Sequence, residues 1–256
     1  MSEFKIAGYG WRPDRPDARD QVLVLRSATL LPRHIDMRVS HAMPPVYQQG
    51  DLGSCTANCI GAAVQYVRHR AGLTPDFVPS RLMIYYGERE FEGSINWDAG
   101  AEIRDGIKFC VRDGVCDEQL WPYQISQFKQ RPPVAAYTEA AKHQITGYKR
   151  VEQSLGALQS CLAAGYPFVF GFSVYNSFET QEVTRSGMVP MPNLSTEHVV
   201  GGHAVMCCGY NSKGRFLVRN SWGPNWGDAG YGWFPFEFLT NQDLCSDFWM
   251  INALEA

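Results

Sequence analysis

Cys55 stands in QQGDLGSCTANCIGAAVQY, residues 48–66, after a glycine-rich approach and at the mouth of an apolar helical pattern. A thiol placed there meets the unpaired N–H groups and the positive dipole end of a helix, and both favour its thiolate. A thiolate attacks carbonyl carbon, but it needs a partner that holds it as an ion pair and protonates a leaving amine. His203, in GGHAVMCCGY, can be that partner. Gly201 and Gly202 leave the ring accessible, and the apolar run behind it predicts a perch at the start of a strand. Asn220, in RNSWGPNWGDAGYGW, ends another strand pattern. Its amide oxygen can accept one ring N–H of a histidine and turn the other nitrogen toward the thiol. Trp222 can cover that hydrogen bond and keep water from it.

Each residue also has an ordinary reading: a buried core thiol, a satisfied structural histidine, a packed Gly/Trp loop. Among the other histidines, His34, His41, His69 and His143 lie in polar or helical contexts, and His198 lies in a loop before Val199. Only the combination of Cys55, His203 and Asn220 makes a chemical unit.

The elements that must position these groups are legible in part. Ile60, Val64 and Val67 recur at helical spacing, which predicts a helix over 55–69 with Ser54 as its N-cap. Further helices are expected over 80–90 and 102–111, the last ended by Asp113-Gly114. After Pro132-Pro133 the pattern turns to strands, over 167–174, 203–210, 215–219 and 231–234. The fold class expected is α+β: a mainly helical subdomain over 31–130, a strand-rich antiparallel one over 131–256, and a cleft between them.

The chain has 256 residues, 45% hydrophobic and 19% charged, with a formal net charge of −3. That suits a globular domain with a sizeable core and gives no basic footprint for nucleic acid. No apolar stretch approaches the length of a membrane span, so no membrane partner is expected. The start, MSEFKIAGYG, lacks a basic region followed by an apolar one, so a classical secretion signal is not expected. Localisation stays open, with the cytoplasm favoured. Eight cysteines permit disulfides without requiring them. No CxxC pair occurs, and adjacent Cys207 and Cys208 face opposite ways in a strand, so a zinc site is not expected. Most of these thiols are expected as small buried hydrophobes.

Taken in order, QGDLGSC, GHAV and NSWGPNWGDAGY resemble the motifs of the papain family of cysteine peptidases, and LPRHIDMRVSHAMPPVYQQG resembles the start of a mature domain of that family. The likeness covers about residues 31–249 and is nearest to bacterial members of the xylellain type. It implies a papain-like two-subdomain fold and a cysteine peptidase acting on polypeptides as a monomer, without metal or organic cofactor. It places Cys55 as nucleophile, His203 as general base and acid, Asn220 as the orienting amide and Trp222 as its cover. Gln49 takes the place of the side-chain donor to the oxyanion. A competing enzymatic reading is an acyltransferase or amidase with the same set. The reading from a different class is a catalytically silent peptide-binding module.

The sequence departs from the family pattern in three places. Leu52 stands where relatives carry a disulfide cysteine, which fits a reducing compartment. Thr56 stands where an aromatic follows the nucleophile. The segment FEGSINWDAG, 91–100, replaces the usual glycine loop of the substrate cleft. Gly100 is the candidate there for backbone pairing with an extended substrate, and Gly202 lies beside the catalytic histidine. Asp247, in NQDLCSDFW, is the candidate for a carboxylate in the pocket that reads the substrate's second residue, where it would favour Lys or Arg. Residues 1–30 form a polar leader stiffened by Pro13 and Pro16, followed by the apolar QVLVL. At that length a folded inhibitory domain is not expected. A strap that lies along the cleft and inhibits in cis is one reading, and an arm packed on the back of the molecule is the other.

Overall fold

The computed structural model describes residues 8–24 and 31–255. The leader's first seven residues and the end of its apolar run, 25–30, lie outside the described residues. In chain order the elements are β1 (Ile35–Asp36), α1 (Cys55–Ala71), α2 (Arg81–Phe91), α3 (Ile103–Arg112), α4 (Val134–Ala140), β2 (Ile145–Arg150), α5 (Leu155–Ala163), β3 (Phe168–Tyr175), α6 (Gln181–Ser186), β4 (Val199–Tyr210), β5 (Arg215–Arg219), β6 (Tyr231–Pro235), α7 (Phe236–Thr240) and β7 (Cys245–Leu254). Helices dominate the first half. One sheet holds the second, in the order β2-β7-β3-β4-β5-β6, with β1 pairing β4. Every one of these pairings is antiparallel. This is the α+β architecture that the motifs imply.

Helix α1 is buried along nearly its whole length and stops at Gly72, whose φ of +66° permits the left-handed cap that receives its last carbonyls. Ser54 occupies the N-cap position, but its hydroxyl pairs with that of Tyr123 and accepts from the Asn58 side chain at 3.1 Å, and takes no backbone N–H of the helix. Ser80 does cap α2, accepting from the N–H of Met83. Helices α2 and α3 approach closely because Gly87 and Gly106 face each other's partners: a Cβ on Gly87 would overlap the Phe109 ring. Strand β3 lies inside the sheet and is buried on both faces, its side chains alternating between them. Phe168, Phe170 and Phe172 point into an aromatic core with Phe234, Phe248 and Phe178. Gly171 between them points the other way, and a Cβ there would overlap the indole of Trp11. All eight cysteines are buried and free.

His203 lies further into its strand than the sequence suggests. β4 begins at Val199, because register with β3 continues through Gly202, Gly201 and Val199. The histidine is therefore held from both flanks by sheet hydrogen bonds, a firmer perch than a strand's first residue.

Candidate active site

Cys55 opens α1, and the backbone N–H groups of Thr56, Ala204 and Gly10 turn toward its sulfur. The first is the helix terminus acting on the thiol as its position predicts. The second belongs to β4, immediately after His203. Helix mouth and sheet thus meet at this atom. His203 Nε2 lies 2.8 Å from Asn220 Oδ1. That oxygen also accepts from the backbone N–H of Ser221 at 2.8 Å, so it has no proton to give and the ring proton sits on Nε2. Nδ1 is left as the lone-pair nitrogen, buried and without a hydrogen-bond partner among the described residues. Trp222 stacks on the imidazole, with ring centroids 4.8 Å apart and planes 27° apart.

Gln49 is fully buried ahead of α1. Its side-chain oxygen accepts from Ser221 Oγ at 2.6 Å, which fixes the orientation of the amide. Its nitrogen then donates to the carbonyls of Leu52 at 3.0 Å and Gly8 at 3.1 Å. Sequence reasoning missed Ser221, although it lies between two residues that were singled out.

Gly8 brings the leader into the site. Tyr9 sets its ring edge against His203, with centroids 5.9 Å apart, and donates its hydroxyl to Glu179 at 2.6 Å. A Cβ on Gly10 would overlap the Gly53 carbonyl, so only glycine passes there. Trp11 donates its backbone N–H to Gly202 O at 2.9 Å and its indole N–H to Asp247 Oδ2 at 3.2 Å. The leader pairs in parallel with Ala101: Ala101 N donates to Gly10 O at 2.6 Å and Arg12 N to Ala101 O at 3.0 Å. It is Ala101 that pairs with the leader, one residue beyond Gly100, the candidate for pairing with an extended substrate. The Gly100 N–H is spent on the Tyr85 hydroxyl. Its positive φ of +66° and missing Cβ instead make room for Gly10.

Farther along, Asp14 Oδ1 accepts from Arg104 N at 3.0 Å and Asp14 Oδ2 from Trp249 Nε1 at 2.7 Å, while its own N–H donates to Asp247 at 2.9 Å. Arg150 reaches Asp14, Asp20 and Asp247 at 3.3, 3.1 and 3.5 Å. Gln21–Leu23 then lie beside Arg150 as a short added strand, with Leu23 N donating to Arg150 O at 2.8 Å. Leu23 packs against the core, whereas Val22 and Val24 stay exposed. Asp247 itself has φ of +59°, an uncommon backbone for a residue other than glycine, held in place by the four groups around its carboxylate: Trp11, Asp14, Ser246 and Arg150. The structure thus brings Cys55, His203, Asn220, Gln49, Trp222, Gly202 and Asp247 into one cleft with the leader along it.

Enclosure changes the charge state the sequence predicts. Cys55 and His203 are both fully buried. Burial pushes the Cys55 thiol up to about 12, against the opposing backbone N–H groups. It pushes His203 down to about 4, against the Asn220 hydrogen bond. Under the leader the two groups are a neutral thiol and a neutral imidazole. Both shifts run against the ion pair expected from the helix mouth.

A helical half, an antiparallel half and this Cys–His–Asn cleft define a class. The family described as papain family cysteine protease matches residues 31–246, and the chain belongs to it. It is a cysteine protease of the papain type. Over 96% of its length it is 38% identical to an uncharacterised peptidase C1-like protein of Acanthamoeba polyphaga mimivirus, covering 87% of that protein. It is 29% identical to chymopapain of Carica papaya, over 86% of this chain and 59% of that one. Among solved structures it resembles xylellain, a cysteine protease from Xylella fastidiosa, at 41% identity and a TM-score of 0.91, covering 99% and 98% of the two chains. The fold is also that of a digestive procathepsin L 3 of Tenebrio molitor, at 17% identity and a TM-score of 0.69, with 94% and 75% covered.

Proposed function

We propose that the protein is a cysteine endopeptidase whose nucleophile is Cys55 and whose own leader, residues 1–30, restrains it in cis. The observation that carries this reading is a peptide carbonyl, that of Gly8, on the side-chain amide of Gln49 beside Cys55. Extended polypeptide fits this cleft with its backbone on Ala101 and Gly202 and with one carbonyl at the Gln49 amide.

With the leader displaced and water admitted, the thiol proton passes to His203 Nδ1. The sulfur forms a bond to the scissile carbonyl carbon. The carbonyl electrons move to oxygen, between the Gln49 amide and the Cys55 N–H, donors aimed in advance at the charge that develops. As the oxyanion collapses, the C–N bond breaks and imidazolium Nδ1–H delivers its proton to the leaving amine. Water then gives a proton to Nδ1 and attacks the thioester, releasing the acid and restoring the thiol. Asn220 keeps the Nε2 proton in place throughout. Asp247 gives the neighbouring pocket an acceptor for N–H-bearing side chains, which favours Lys or Arg there. The same set could pass the acyl group to an amine, and no feature of the site favours that acceptor over water.

The test is cleavage of an unfolded protein by the full-length chain, with new N-termini read by mass spectrometry. Cys55→Ala must leave them absent while circular dichroism is unchanged. Equal cleavage by Cys55→Ala rules the nucleophile out.

A further inference from the structure

We infer that Glu92 and Glu102 form an acidic subsite of the cleft, which takes a basic side chain of the substrate next to the residue seated over Asp247. The inference rests on the reading above that substrate occupies the channel the leader now fills. The leader is a peptide already bound there, and its side chains show what the walls accept. It is extended where it pairs with Ala101, so successive side chains leave on opposite sides. Trp11 goes to Asp247. Arg12 goes to the other wall, where its guanidinium pairs with Glu92 Oε2. Arg15 follows, its backbone N–H 3.0 Å from Glu102 Oε2 and its Nε 3.5 Å from Oε1. Any extended chain paired with Ala101 alternates in the same way, whichever direction it runs.

The site is built and not merely acidic. Glu92 Oε1 accepts from the backbone N–H of Glu102 at 2.8 Å, which ties the two together and leaves Oε2 for the incoming cation. Both side chains are only 7% exposed. Asp105 completes a group of carboxylates whose oxygens lie within 4.8 Å of one another. Burial first, and then Asp105 and Glu102, push Glu92 up to about 7 against the Glu102 backbone N–H and Arg12. The cation enters from solvent, since the Arg12 side chain is 44% exposed. A substrate arginine or lysine can take its place once the leader leaves. The wall belongs to this chain's own geometry, because Glu92 lies in the 91–100 segment that departs from the family pattern.

The experiment uses peptide pools with Arg, Lys, Gln or norleucine at each position before the cleavage site. They are turned over by the wild-type chain and by Gly10→Ala, whose leader cannot seat, each with and without Glu92→Gln and Glu102→Gln. At one position beside the pocket residue, kcat/KM for Arg should exceed that for Gln about tenfold or more, the scale of a hydrogen bond to a charged group. In the double variant that ratio should fall to near one. Loosening the leader raises all peptides alike, so the ratio isolates the subsite. A ratio unmoved by the double variant, with every rate increased, assigns the two glutamates to holding the leader and overturns the inference. The peptidase reading fails separately: no peptide is then cleaved in either background, and peptidyl chloromethyl ketones leave Cys55 unalkylated.

Discussion

The amide nitrogen of Gln49 donates to the carbonyl oxygen of Gly8 at 3.1 Å. If this donor serves the oxyanion, the leader and the substrate compete for one N–H. A tethered segment competes at an effective concentration of about millimolar, so even a weakly held one suppresses turnover.

Gly10→Ala in the full-length chain should relieve that competition. The added Cβ meets the Gly53 carbonyl, backbone that cannot swing aside, so the leader must lift. We expect kcat/KM on a fluorogenic peptide to rise about tenfold or more, in line with that effective concentration. Unfolding midpoints of both proteins guard against a trivial loss of fold. Unchanged or lower activity in a folded Gly10→Ala chain would argue that the leader does not gate the site.

Gln49 and Ser221 should separate by magnitude. Gln49→Ala, in the Gly10→Ala background, removes one oxyanion donor and should cost roughly 3 kcal/mol of transition-state stabilisation. Ser221→Ala leaves the amide in place but frees it to turn, since Ser221 Oγ holds the Gln49 oxygen. A milder loss, confined to kcat, is expected. Single-turnover acylation rates decide it, and an unchanged rate for Gln49→Ala removes that residue from the mechanism. His203→Ala should approach Cys55→Ala in severity. Asn220→Ala should be milder than either, because both reacting groups remain.

What could be read in the sequence follows from how local each signal is. The helix opened by Cys55, the helix expected over 80–90 and the strand Arg215–Arg219 are written in contiguous pattern, and the structure has them, whereas the cap expected at Ser54 makes no hydrogen bond to the helix backbone. Strands β2 and β7 carry no such mark. β2, ITGYKR, is a half-buried edge broken by an irregularity at Gly147, and β7 includes Asp247 with its positive φ. The site residues were legible because their types are rare and ordered. The leader's path was not, because it depends on Gly8 and Gly10 passing the backbone of Asp51, Leu52 and Gly53, and on Gly100 making room for Gly10, all far apart in the sequence. GYGW offered the one hint, small residues alternating with large.

The pH response of the full-length chain should run through Asp14. Its carboxyl is pushed up to about 7, first by burial and then by Asp247, against Arg104, Trp249 and Arg150. The group is therefore more readily protonated when the leader is docked than when it is free. Its contribution to docking is full below the ordinary carboxylate range and is lost as pH rises through about 7. The ratio of kcat/KM between Gly10→Ala and the wild-type chain should thus shrink from pH 5 to pH 8. Asp14→Asn, neutral throughout, should flatten the wild-type response. A ratio that grows with pH contradicts the assignment.

Arg150 is the latch that salt should loosen. Its guanidinium faces Asp14, Asp20 and Asp247, lies 4.4 Å from the centroid of Trp249, and its own backbone carries the added strand at Leu23. Arg150→Met keeps the packed stem and the backbone pairing but removes the charge. Of the leader's remaining charged anchors, Arg12, Arg15 and Asp17 have more exposed pairs and are screened by salt, while Asp20 keeps a buried partner in Arg104. We expect three results together. A variant beginning at Leu31, verified as folded, should exceed the full-length chain in kcat/KM. That gap should narrow as salt rises toward 1 M. Arg150→Met should lie between the two at low salt and respond less steeply to added salt than the wild type. Equal activity of the full-length and shortened chains would leave residues 1–30 as a structural arm, and a gap indifferent to salt would place its hold in Trp11 and the backbone contacts instead.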